Sequence, residues 1–151
     1  MLDAKDLRIG NLFTLNNPHY RPKENGLLVS VTSIDTNRNE MNEDGEYEPK
    51  VAVGLLVVQN NKFYENRFAQ WIEYLKPIEL TEEWLLDFGY KQVNTLANGT
   101  KVLEKPGLFT VYYKDGIVRF SFYTIDVKFV HKFQNIIYSL TNTELTLKDE
   151  K

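Results

Sequence analysis

Cysteine is absent from the 151 residues. Disulfides, thiol nucleophiles and Cys-ligated metals are excluded with it, and the absence fits a reducing compartment, so a cytoplasmic location is expected. Histidine is scarce: His19 and His131 are too few for a multi-His metal centre and leave little for acid-base chemistry. No stretch approaches the roughly 18 to 20 apolar residues that cross a bilayer, and the start, with Asp3 and Asp6 ahead of Arg8, lacks the order of a secretory signal. Neither a membrane span nor a signal is expected. Gly-x-Ser-x-Gly, a glycine-rich phosphate loop and His-Glu-x-x-His are all missing, which removes the common hydrolase and nucleotide-binding signatures. No cofactor is expected, and an enzyme is disfavoured. A basic excess is missing too: the formal charge is −3, so nothing global draws the chain to nucleic acid.

What is present, 42% apolar and 13% aromatic residues, is enough at this length for one ordinary domain or two small ones. The first half reads as strands. Leu7, Ile9 and Phe13 alternate, and Leu12 breaks the period just after Gly10, which predicts a strand bulged at that glycine. Asn16-Asn17-Pro18 opens a loop that runs to Asn25-Gly26, and residues 27–34 resume as a strand with β-branched side chains at 29, 31, 32 and 34. Residues 35–48 hold six acids against one Arg without an apolar period, and predict a long solvated connection. Within it Asp35, Asn37, Asn39, Glu43 and Glu46 match the oxygen-ligand positions of a calcium loop. Glu40, however, stands where the sharp turn needs glycine, and the flanks are strands. Residues 51–58 are a buried strand, 59–62 turn into Phe63-Tyr64, and part of 68–75 completes the set. Such a series predicts a small SH3-like antiparallel β-barrel over residues 1–76.

The second half starts at Lys76-Pro77. Thr81 N-caps a short helix, Glu82 and Glu83 sit at its positive end, Gly89 ends it, and Trp84, Leu85 and Phe88 share a face. Adjacent helix residues point about 100° apart, so the two glutamates serve the dipole and not a paired-carboxylate site. Residues 90–96, 100–104, 108–114 and 117–123 then alternate, separated by Asn98-Gly99, Pro106-Gly107 and Asp115-Gly116, which predicts an antiparallel meander. A last helix is predicted over 127–140, capped by Asp126, with Val130, Phe133, Ile137 and Leu140 on its stripe and Phe129 and Ile136 beside it. Residues 143–147 add a short strand. The fold class expected is α+β: the small barrel, then an αββββα half over 77–151 with its helices packed on an antiparallel sheet.

Two groups of residues are candidates for binding. Tyr20, Tyr47, Phe63, Tyr64, Phe68, Trp71 and Tyr74 crowd the first half, near Arg21, Lys23, Lys62 and Arg67. Aromatics beside bases stack on single-stranded nucleic acid in barrel modules, but nine basic residues face eleven acidic ones over 1–76. Filling a small core is the plainer use of such side chains. Tyr64, Arg67 and Trp71 are the candidates taken from this group. His131, Gln134 and Asn135 form the second, a polar cluster on a helix otherwise needed for packing; a hydrogen bond to the neighbouring strand is the plainer role.

Three segments carry a resemblance: Leu7-Arg8-Ile9-Gly10-Asn11-Leu12; Lys76-Pro77-Ile78-Glu79-Leu80-Thr81-Glu82-Glu83-Trp84-Leu85-Leu86-Asp87-Phe88-Gly89-Tyr90; and Val127-Lys128-Phe129-Val130-His131-Lys132-Phe133-Gln134-Asn135, continuing to Leu145. In these the chain resembles a family of short, mostly uncharacterised proteins of Bacteroidetes genomes and of their phages and integrated elements. Members often have Phe where Tyr90 stands and Gly where Asn142 stands. The resemblance implies no catalytic residue. It implies an accessory protein that binds a host factor, a phage assembly component or a signalling molecule. With the missing nucleophile, metal cluster and phosphate loop, the expected function is non-enzymatic, by protein binding, assembly or self-association. Two alternatives stay open, a small-molecule binder or enzyme for a nucleotide or signalling molecule, and a nucleic-acid-binding barrel module.

Overall fold

The computed structural model describes residues 2–19, 26–59, 62–121 and 123–147, the side chains of 62–67, 123 and 124 excepted. The chain divides into two compact units, Met1–Pro77 and Ile78–Lys151. Each carries one five-stranded antiparallel sheet, and two helices complete an α+β chain.

In the first unit β1 (Leu12–Leu15), β2 (Leu28–Met41), β3 (Tyr47–Gln59), β4 (Lys62–Trp71) and β5 (Leu75–Lys76) lie in the order β4-β3-β2-β1-β5. Alternation builds the core: Phe13, Leu15, Val29, Val31, Val53, Leu55 and Leu75 are buried on one side of the strands. Among the described residues no pairing joins β4 to β5, so the expected barrel is represented by an unclosed sheet.

Two local expectations are corrected here. Residues 7–11 do not form a bulged strand. Asn11 N–H bonds Arg8 O and Gly10 takes φ +94°, a turn that only then releases the chain into β1. Nor are residues 35–48 a loop: β2 and β3 stay paired out to Met41↔Tyr47, with register shifts at 31/33 and 35/38. The turn that joins them is set by Asn42, whose Oδ1 accepts the N–H groups of Asp44 and Glu46, and by Gly45 at φ +81°.

In the second unit α1 (Glu82–Asp87) precedes β6 (Lys91–Thr95), β7 (Lys101–Glu104), β8 (Val111–Lys114), β9 (Ile117–Phe120) and β10 (Tyr123–Val127), a meander in sequence order, and α2 (Val130–Thr141) follows. The Asn-Gly, Pro-Gly and Asp-Gly turns stand where the sequence places them, with Asp115 and Gly116 both at positive φ as the tightest hairpin requires. The fifth strand, β10, was not expected: Asp126 pairs with Arg119 across it instead of capping a helix, and α2 begins three residues later. Residues 143–147 form no strand, although Leu145 and Leu147 are buried. Thr81 precedes α1 without a side-chain cap bond; Glu83's own backbone N–H, and after it the Thr81 hydroxyl, hold the Glu83 carboxyl below the usual range.

Leu85, Phe88, Val130, Phe133 and Ile137 are fully buried, whereas Trp84 is half-buried and Leu140, expected on the stripe, is exposed. Phe133 is the hub. Its ring lies 5.8 Å from Tyr90, 6.1 Å from Phe120 and 6.3 Å from Phe88. Tyr90 carries its hydroxyl into this apolar cluster without a hydrogen-bond partner, and burial pushes the phenol far above its ordinary range. Since an orphaned buried hydroxyl costs about 1 to 3 kcal/mol, Tyr90→Phe is expected to stabilise the second unit by about 1 kcal/mol. An increase in the denaturation midpoint at unchanged slope checks it, and a decrease would mean the hydroxyl has a partner. No helix among the described residues is long and apolar enough to cross a membrane.

Candidate functional site

The far end of the first sheet, where β4 runs out, holds a pocket of about 420 Å³. It exists because Ala52 and Ala69 line it with no more than a methyl each, on neighbouring strands whose register pairs Ala52 with Trp71 and Gly54 with Ala69. Trp71 ends β4 and leads into a 3₁₀ turn, residues Ile72–Tyr74, and both aromatics face the hollow half-buried. The backbone ties this turn to the chain leaving β1, with Asn16 N–H donating to Tyr74 O at 2.8 Å. One residue on, Asn17 enters the pocket wall.

Asn17 and Gln70 are the polar heart of the site, 4% and 6% exposed. Asn17 Oδ1 accepts the His19 N–H at 2.9 Å, and its Nδ2 donates to Gln70 Oε1 at 3.1 Å, a buried bond across 53 residues of sequence. The other branch of the Gln70 amide, Nε2, has no hydrogen-bond partner among the described residues. Such a donor is expensive to bury unless something binds it.

Both cations at the rim among the described residues are already paired. Arg38, which lines the opening, donates its Nε to Asp35 at 2.8 Å, and the Asn37 N–H, donating at 2.9 Å, together with this bond holds the Asp35 carboxyl below its usual range. Lys50 reaches Glu73 at 2.8 Å, bridges Glu40 as well, and stands 5.4 Å above the Trp71 ring. Its two carboxylate partners raise it beyond the ordinary lysine range. His19 packs edge-on against Tyr74 at 6.2 Å.

Of the residues singled out from sequence, Trp71 belongs to this pocket. Tyr64 and Arg67 lie in β4 by their backbone, and their side chains are outside the described residues, as are Tyr20, Arg21 and Lys23 altogether. His131 and Gln134 are both 1% exposed beside Phe133 and Asn135 is half-buried, and none of the three lines this pocket. Tyr74 stood in the aromatic group without being taken from it as a candidate, and the sequence did not single out Asn17 or Gln70 at all. A broader hollow of about 560 Å³ on the second sheet offers Tyr112, Lys114 and Arg119, with Arg119 committed to Asp126 and no orphaned buried group. Among the described residues no cluster of three or more His, Cys, Asp or Glu could hold a metal ion. No family model, curated protein or solved structure matches this chain, and the chemistry of the pocket is read from its own side chains.

Proposed function

We propose that the protein is a non-enzymatic binding protein, an accessory of the phage or mobile-element type in the cytoplasm, and that the pocket on its first unit grips a segment of a partner polypeptide. The observation that carries this is the Gln70 Nε2 donor, buried beside two half-exposed aromatic rings. A polypeptide supplies what both need, a carbonyl oxygen at every residue and side chains to lie against Trp71 and Tyr74. The strand order β4-β3-β2-β1-β5, a long β2 shared by β1 and β3, and a 3₁₀ turn before a short last strand also support reading the first unit as an SH3-like barrel. That likeness concerns architecture and assigns no ligand.

The test is selection of peptides from a random display library on the whole chain, with counter-selection on the Trp71→Ala variant. Peptides that share a consensus and need Trp71 support the proposal; a library with no enrichment contradicts it. A volume of about 420 Å³ also suits a small ligand, which favours that second reading where mass spectrometry of protein incubated with nucleotide and metabolite mixtures finds one compound retained.

Nucleic acid is expected to bind weakly or not at all at about 0.15 M salt. The β2–β3 hairpin carries six acids and one Arg over residues 35–48, which opposes a polyanion over roughly one Debye length, about 8 Å. Filter binding or anisotropy with single- and double-stranded DNA and RNA checks this. Submicromolar affinity that falls steeply between about 50 and 200 mM salt and is lost in Lys62→Glu/Arg67→Glu would overturn it.

A further inference from the structure

We infer that the group this pocket takes is an uncharged carbonyl oxygen, that of an amide, and neither a carboxylate nor an ammonium. The inference rests on the pocket being the binding site proposed above, and goes on to its selectivity. Hydrogen-bonding capacity decides the first half of it. Both buried amide oxygens are engaged, Asn17 Oδ1 by His19 N–H and Gln70 Oε1 by Asn17 Nδ2, while Gln70 Nε2 is left with its donor capacity unspent. The buried part of the site therefore offers a donor and asks for an acceptor. An ammonium or a guanidinium, which only donate, would leave the orphan unpaired and would lose their own hydration in addition.

Charge decides the second half. A carboxylate is also an acceptor, but among the described residues the two cations near the opening are both spoken for: Arg38 by Asp35, and Lys50 by Glu40 and Glu73. Among the described residues, three carboxylates against two cations leave no surplus of positive charge to offset the desolvation of a fourth carboxylate beside a neutral amide. An amide carbonyl brings the acceptor without that cost. Its planar group and an apolar neighbour also suit a hollow walled by Trp71 and Tyr74.

The experiment uses the ¹⁵N-labelled full chain and three probes of one shape: 3-phenylpropionamide, 3-phenylpropionate and 3-phenylpropylamine. The Gln70 side-chain amide resonance is assigned by its loss in Gln70→Leu. Saturable shifts of that resonance by the amide, with an affinity at least about tenfold above the other two, and at least about tenfold weaker amide binding to Gln70→Leu as followed on Trp71, support the inference. Gln70→Asn, which keeps the donor on a shorter stem, is expected to bind between the two. Equal or tighter binding of the carboxylate or the amine at Trp71 would overturn the selectivity and leave the pocket standing. No shift of Gln70, Trp71 or Tyr74 by any probe would overturn both. A blocked pentapeptide without acidic residues, such as acetyl-Ala-Ala-Tyr-Ala-Ala-amide, is expected to bind more tightly than the single amide. Equal affinity would keep the carbonyl and contradict a polypeptide as its source.

Discussion

Replacing Phe133 by alanine is expected to destabilise the second unit by about 3 to 5 kcal/mol, the usual range for removing a large buried ring. Phe133 is fully buried, and rings from α1's end, from β9 and from the residue before β6 surround it, with Phe120 stacked at 11°. Three elements converge on one side chain, so little local collapse can fill the space left behind. Chemical denaturation followed by fluorescence measures the loss. Trp84 is the tryptophan of the second unit and Trp71 that of the first, so a Trp71→Phe background reports on the second unit alone. A loss under about 1 kcal/mol would mean that Phe133 is not the hub of this core.

Truncating Trp71 to alanine is expected to weaken a selected peptide at least about thirtyfold, the scale of a tryptophan hot spot worth about 2 kcal/mol or more. Trp71 forms one wall of the pocket, and Lys50, fixed by two carboxylates, stands 5.4 Å from the centre of its ring. The ring is therefore held in place before anything binds, and little ordering entropy remains to oppose association. Tyr74→Ala is expected to cost less, because the 3₁₀ turn keeps its backbone bond from Asn16. Titration calorimetry on folded variants measures both. An unchanged affinity in Trp71→Ala would remove the pocket from the binding surface.

Period and turn chemistry made much of this fold legible. Val29 and Val31 alternate inward on β2, Asn98-Gly99 and Asp115-Gly116 close hairpins, and Val130, Phe133 and Ile137 bury the face of α2 as helical spacing requires. The long hairpin was hidden because Thr36 to Glu40 has no apolar alternation; its strand character comes from pairing with 47–51, a partner that sequence pattern does not reveal. β10 was hidden by Val127 and Val130, whose spacing of three fits the start of a helix as well as the end of a strand. His131, Gln134 and Asn135 read as a polar cluster on a packing helix, and the buried stripe of α2 is wide enough to take in His131 and Gln134 with their apolar neighbours. Trp71 stood out among the aromatics. Asn17 and Gln70 did not, since two uncharged amides far apart in sequence match no motif, and only the fold brings them within 3.1 Å.

The central claim, that the pocket of Asn17, Gln70, Trp71 and Tyr74 is where the protein binds, is tested most directly by ¹H–¹⁵N shift mapping of the full chain with a selected peptide. Saturable shifts are expected at Asn17, at residues 69–74, at Ala52 and at the side-chain amides of Asn17 and Gln70, with the second unit unmoved. Shifts that gather on β6 to β10 or on α2, with Gln70 unchanged at saturation, would contradict it.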